Sequence, residues 1–86
     1  EENRPALSVS PNPVTNIMHL LFYSTHTEPV MIKVINNNGV IVKSYSKNAV
    51  TGANNWDLDL STLTAGSYTV YIQSANQLAS QIFIKN

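Results

Sequence analysis

The sequence contains no cysteine, which excludes thiol catalysis, thiolate metal centres and a disulfide-stapled fold. Charged residues make up only 12 % of the 86 residues, about half of the usual share, and the net charge is zero. The few lysines and the one arginine form no cluster. The composition therefore argues against nucleic-acid partners, whose phosphates need a basic patch, and against binding to an anionic membrane surface.

Long apolar runs are also absent: none reaches the ~18 residues of a membrane-spanning helix, and no basic-then-apolar leader opens the sequence. With 3 glycines, the sequence has no glycine-rich loop for phosphate. Residues 1–6 are typical of the end of a linker. We therefore expect one small domain over residues 7–86, cut from the C-terminal end of a longer protein.

What the sequence does contain is a series of short runs in which apolar and polar residues alternate, with turn signals every ~8–12 residues. The predicted strands are 6–10, 17–23, 30–36, 40–46, 54–60, 67–74 and 78–85. This pattern predicts an all-β fold, an immunoglobulin-like antiparallel β-sandwich of about seven strands without a disulfide. The predicted core is Leu7, Val9, Met18, Leu20, Phe22, Val30, Ile32, Val34, Val42, Trp56, Leu58, Leu60, Leu63, Tyr68, Val70, Ile72, Ile82 and Ile84.

Asn38-Gly39 predicts a tight hairpin turn between the third and fourth strands. A three-residue loop pairs Val34 with Val42, whereas a two-residue loop pairs Val34 with Lys43 and mixes apolar with charged residues. We therefore predict the three-residue loop, a type I turn that starts at Asn36, with Gly39 in the left-handed position of a G1 bulge.

The first strand runs into Ser10-Pro11-Asn12-Pro13-Val14, which we call the proline box. Proline has no N–H for a sheet ladder and fixes φ near –65°, so the strand must end or change partners here. The residue before each proline is driven into an extended conformation. We expect the box to shape the first strand and to mark the end of the linker rather than to touch a partner.

Three motifs in order carry a family resemblance: the proline box, the Asn38-Gly39 turn, and Gly66-Ser67-Tyr68 ahead of the last apolar strand. Together they resemble the type A C-terminal sorting domain of the type IX (Por) secretion system of Bacteroidota, over residues 7–85. The matching motif residues are Pro11, Asn12, Pro13, Asn38, Gly39, Gly66 and Tyr68. Two positions depart from the family: Ser80-Gln81 replaces a frequent lysine pair, and Ser67 replaces a frequent apolar residue.

The resemblance implies a non-catalytic domain, without a cofactor, that is the C-terminal export address of a larger cargo. The cargo would cross the inner membrane by a separate signal peptide. It would then engage an outer-membrane translocon and a β-barrel shuttle protein from the periplasm of a Gram-negative bacterium. A surface sortase usually cuts in the preceding linker, here residues 1–6 or upstream, and joins the cargo to a lipopolysaccharide. In some members the domain is instead retained in the surface attachment machinery, and the sequence leaves this open.

Two surfaces are candidates for recognition by such machinery. The first is the last strand, with Ile82, Phe83, Ile84 and Lys85, which we expect to be an exposed edge read through its main chain. The second is the predicted outer face of the Asn-Gly hairpin, with Met31, Ile35, Ile41 and Tyr45 beside Lys33 and Lys43. The alternative for this apolar strip is simple coverage by a loop.

Candidate catalytic or metal-binding residues are few. Asp57 and Asp59 lie two apart on one strand face, as a glycosidase pair or calcium ligands would, but a solvated face explains them as well. His19, His26 and Glu28 do not supply the three or four converging ligands of a zinc site. We predict no catalytic residue, no metal site and no cofactor.

The rival to an export domain is a β-sandwich binding module for a glycan or a protein. Tyr23, Tyr45 and Tyr71 are predicted to be exposed and could stack on sugar rings. They fall on separate strands, so whether they share one platform depends on the fold.

Overall fold

The computed structural model describes residues 5–86, so most of the predicted linker end lies outside the described residues. The strands are β1 (Leu7–Ser10), β2 (Ile17–Ser24), β3 (Glu28–Asn36), β4 (Ile41–Ala49), β5 (Gly52–Asp59), β6 (Gly66–Gln73) and β7 (Leu78–Lys85). The predicted all-β fold is confirmed, and each predicted strand is found within a few residues of its expected bounds. In residues 5–86 no helix is long and apolar enough to cross a membrane.

The strands form two antiparallel sheets, which face each other as a sandwich. One sheet has the order β1-β2-β5 and the other β4-β3-β6-β7. This is the A-B-E and C′-C-F-G arrangement of immunoglobulin-like domains, held here without a disulfide. Because the first sheet has three strands and the second four, the smaller sheet leaves part of the inner face of the larger one uncovered.

The core lies between the sheets and follows the predicted alternation along β2, β3, β5 and β6. Phe22 stacks on Trp56 with ring centroids 6.1 Å apart, which joins β2 to β5 by aromatic contact. Val9, Val42, Trp56 and Leu63, which were predicted in the core, are partly buried and pack against it.

The prediction was wrong for Ile82 and Ile84, which are 63 % and 42 % exposed, and it missed three buried apolar residues. These are Val14, Ala49 and Phe83. Phe83 is fully buried and stacks on Tyr68 at 5.7 Å. Residues 82–84 are all apolar, so alternation alone does not say which faces inward, and the larger aromatic ring occupies the core.

The turn between β3 and β4 was predicted correctly. The Gly39 N–H donates to the Asn36 carbonyl at 3.0 Å, and Gly39 has a φ of 81°, the left-handed region that favours glycine. The Asn36 side chain also accepts hydrogen bonds from the N–H groups of Asn38 at 2.9 Å and Val40 at 3.0 Å. Asparagine at this position therefore holds the turn with its side chain as well as its main chain.

The predicted strand register beyond this turn was wrong. A β-bulge shifts the ladder after the Ile35–Ile41 pair, so Val34 lies opposite Lys43 rather than Val42. The predicted register would be favoured if the inner face of β4 were fully buried. As an edge strand of the larger sheet, β4 is only partly covered, so lysine can lie there with its stem against the core and its ammonium group in water.

The bulge also moves Tyr45 to the inner side of the sheet, where it pairs with the buried Ile32 and packs against the core. Burial, reinforced by the negative charge of Asp59, raises the pKa of Tyr45 above its ordinary value. The prediction that Tyr45 and Lys43 lie on the outer face is therefore corrected. Met31, Ile35 and Ile41 remain on that face.

Candidate recognition surface

β7 is an edge strand of the four-stranded sheet, as predicted for the last strand. Its two faces differ sharply. Phe83 and Lys85 point inward and are 0 % and 5 % exposed, and the Lys85 Nζ donates to the Asn86 carbonyl at 2.9 Å. Leu78, Ile82 and Ile84 point outward and are exposed. Of the four candidate residues on this strand, only the two isoleucines present their side chains to a partner.

The proline box lies against the far end of β7. Asn12 Oδ1 accepts a hydrogen bond from the Ile84 N–H at 3.0 Å, and the Val14 N–H donates to the Ile84 carbonyl at 2.7 Å. The Asn86 N–H then donates to the Val14 carbonyl at 2.8 Å. Because proline cannot donate to a ladder, the Asn12 amide and the Val14 main chain supply these edge contacts. The box therefore connects the first strand to the last.

Gln77 anchors the near end of β7. Its Oε1 accepts a hydrogen bond from the Thr25 N–H at 2.8 Å, and its Nε2 donates to the Tyr23 carbonyl at 3.1 Å. These bonds connect the β6–β7 turn to the β2–β3 turn, which joins a strand of the smaller sheet to a strand of the larger one. Nearby, hydrogen bonds from Ser74 and Asn76 lower the pKa of the Glu28 carboxyl below its ordinary value.

The outer face of β7 is continuous with that of the β3–β4 hairpin. Ile82 pairs with Thr69 on β6, Thr69 with Ile35 on β3, and Ile35 with Ile41 on β4. One row of four neighbouring side chains thus crosses the sheet, and three of them are isoleucines. A shallow pocket of about 260 Å³ opens beside this row and is lined by Asn36, Asn37, Ser67, Tyr68, Thr69 and Ile82. The two predicted recognition surfaces are therefore one surface.

The Gly66-Ser67-Tyr68 motif forms a structural corner. The Tyr68 hydroxyl donates to the Thr64 carbonyl at 2.7 Å, the tyrosine-corner bond typical of Greek-key sandwiches. Gly66 has a φ of 152°, at the border of the region that favours glycine. With Leu60 buried ahead of the corner, these residues turn the chain from one sheet to the other.

The acidic and histidine side chains of residues 5–86 do not gather into a cluster of three or more. His19 Nδ1 lies 2.5 Å from Asp57 Oδ1 on the exposed face of the smaller sheet. The Ser61 N–H donates to Asp59 at 3.0 Å, and hydrogen bonding with Ser61 lowers the pKa of Asp59. No group of three potential metal ligands occurs in the part of the chain that the structure describes.

The three tyrosines of the glycan hypothesis do not share one surface. Tyr23 is on the outer face of β2 in the smaller sheet, and Tyr71 is on the outer face of β6 in the larger sheet. Tyr45 points toward the core. No flat aromatic platform for a sugar ring forms from them.

Sequence reasoning missed Asn12, Val14 and Gln77 as the residues that hold β7. Asn12 was predicted only as part of the proline box, and its partner Ile84 is distant in sequence. The signal that could have found it is an asparagine between two prolines, whose amide oxygen can accept a hydrogen bond from a neighbouring strand. For Gln77 no local pattern pointed to its role.

A family model for the secretion system C-terminal sorting domain matches residues 8–86. The chain belongs to this family. No curated protein matches the chain. As a sorting domain of type IX secretion, the chain is a C-terminal sorting signal that interacts with the secretion machinery, and the protein that carries it is a secreted or cell-surface bacterial protein. Domains of this family are generally non-catalytic.

Proposed function

We propose that residues 7–86 are the export address of a larger cargo and that the secretion machinery recognises the outer surface formed by β7 and the β3–β4 hairpin. The observation that carries this proposal is the continuous row from Ile82 to Ile41, with Ile82 and Ile41 63 % and 51 % exposed. Exposed apolar patches of this kind usually mark interaction sites. Because the domain has few charged residues, a partner could cover this row without taking many charged groups out of water.

The domain itself performs no chemistry in this proposal. The cargo first crosses the inner membrane by a separate signal peptide and reaches the periplasm. There the domain engages an outer-membrane translocon and a β-barrel shuttle protein. A surface sortase then cuts in residues 1–6 or upstream and joins the cargo to the cell surface. The fold supports a cut at this place, because the main chain bonds to β2 from Ala6 onward, so a cut ahead of Ala6 would fall outside the sandwich.

Deletion of Ile82–Asn86 from a tagged cargo tests the proposal. We expect the truncated cargo to stay in the periplasm, measured by fractionation and by protease accessibility on intact cells. The deletion also removes the buried Phe83, so it can unfold the domain. A second variant therefore carries Ile82→Ser and Ile84→Ser, which change only exposed side chains.

The matched control is Ile17→Ser, an exposed isoleucine, 40 % accessible, on the outer face of the smaller sheet. We expect the double variant to be retained in the periplasm and the control to reach the surface, with both domains unfolding at the temperature of the parent. Normal surface delivery of both the truncated and the double-variant cargo would refute the proposal.

A further inference from the structure

Within residues 5–86, no strand pairs with the outer edge of β7 between Leu78 and Ile82. Both main-chain groups of Ile84 bond to the proline box, so they point away from β6. In an antiparallel strand the N–H and C=O groups of successive residues point alternately to the two sides. The N–H and C=O groups of Ile82, Ser80 and Leu78 therefore also point away from β6. Within residues 5–86 none of these three has a main-chain partner on that side; the Ile82 carbonyl accepts only from Gln81 Nε2, at 3.1 Å.

The other three sheet edges carry features that block strand addition, and β7 does not. β1 has four residues and ends at a proline. β4 has a bulge and the half-buried Lys43 and Lys47, and β5 carries Asp57 and Asp59. Such bulges, charges and short strands are the devices by which proteins keep edges from pairing. Leu78–Ile84 has no charge, proline, glycine or bulge, and pairs with β6 in unbroken register.

The part of this edge that no strand pairs with is fixed at both ends. Gln77 fixes its beginning to the β2–β3 turn, and Asn12 with Val14 fixes its end at Ile84. A strand held in this way loses little further conformational entropy when a second strand pairs with it. The same contacts limit how far a second strand can pair along β7, because the proline box is already bonded to the edge at Ile84.

From these observations we propose that a segment of a partner protein adds to β7 as an extended, uncharged strand along Leu78–Ile82; this rests on the proposed function. The main-chain groups of Leu78, Ser80 and Ile82 would bond to it. Its side chains on the outer face would lie beside Leu78 and Ile82, so apolar residues fit there and a charged residue would find no opposite charge on β7 between Leu78 and Ile82. Recognition through the main chain does not depend on which cargo the domain follows.

A second copy of the chain is the poorer occupant. Two copies paired through five residues about a two-fold axis would meet only at their edges. A standard stable interface involves about 20–30 residues on each side, several times the number in this edge. A partner segment can also cover the isoleucine row on the outer face, which lies beside the edge.

Ser80→Pro tests the edge directly, because it removes the central outward N–H while leaving the bonds between β6 and β7. Ser44→Pro is the matched control. Ser44 lies at the other edge of the sheet and is aligned with Ser80 through the paired residues Lys33 and Tyr71. By the same alternation, the Ser44 N–H also points away from the sheet. Ser80→Thr, which keeps the N–H, is a second control. Each variant is fused to the tagged cargo, and thermal unfolding of each domain is measured.

We expect Ser80→Pro to leave most of the cargo in the periplasm, while Ser44→Pro and Ser80→Thr are delivered and all three domains unfold cooperatively. Delivery of Ser80→Pro alongside retention of the Ile82→Ser, Ile84→Ser cargo would overturn strand addition and leave the proposed function standing. Equal retention of Ser80→Pro and Ser44→Pro would also overturn it. So would light scattering that shows a dimer of the domain, lost in Ser80→Pro, because the edge would then belong to a second copy.

Discussion

At the scale of single residues, asparagine side chains stabilise main-chain groups that strands and turns leave unpaired. The Asn54 amide is buried and donates to the carbonyls of Phe22, Val50 and Gly52 at 3.2, 2.9 and 3.0 Å, and its oxygen accepts from the Val50 N–H at 2.9 Å. Asn36 and Asn12 act similarly in the hairpin turn and the proline box. The role of Asn36 was predictable because its partners are local. That of Asn54 was not, because part of its network depends on β2.

Asn54→Ala should lower the free energy of unfolding by about 2 kcal/mol, because the buried main-chain groups around it lose their hydrogen bonds. Urea unfolding followed by circular dichroism measures the change. Asn55→Ala is the control: Asn55 is exposed on the opposite face of β5, and we expect a change within about 0.5 kcal/mol. Equal losses in the two variants would show that the Asn54 network contributes nothing.

At the scale of the elements, alternation predicted which face of β2, β3, β5 and β6 is buried, because each strand has one clearly apolar face. It failed for β4 and β7, which are the two edges of the larger sheet. In β4 the bulge changed the register, and in β7 three consecutive apolar residues made the pattern ambiguous. Edge strands are half-covered, so burial constrains their sequences less and the sequence specifies their faces less clearly.

Amide hydrogen exchange should show how β7 is held. We expect the Ile84 amide, bonded to Asn12, and the Phe83 amide, bonded to β6 by alternation, to be protected, and the Ile82 amide to exchange fastest. Asn12→Ala should speed exchange at Ile84 by roughly fivefold, equivalent to about 1 kcal/mol for the lost bond, with Phe83 unchanged.

Asn16→Ala is the control for this variant, since Asn16 uses its main-chain carbonyl, not its side chain, to accept from the Leu60 N–H. Protection of Ile84 that is the same in Asn12→Ala and the parent would mean that the Asn12 amide does not hold the strand.

At the scale of the whole molecule, motifs far apart in sequence are brought together by the fold. The proline box follows the first strand, yet it bonds to the end of the last. The last strand and the Asn-Gly hairpin, predicted as two separate surfaces, share one outer face. The order of the motifs along the chain was enough to indicate the family resemblance. The contacts between them were not predictable, because they depend on how β6 lies between β3 and β7.

The claim that residues 7–86 carry the export address is tested most directly by sufficiency. A reporter with its own signal peptide, fused ahead of residues 7–86, is produced in a bacterium that has the type IX machinery, beside the same reporter without the domain. We predict that protease treatment of intact cells, with culture-medium assays, finds the fusion outside the outer membrane and the bare reporter in the periplasm. A fusion that stays in the periplasm although its domain is folded would contradict the account.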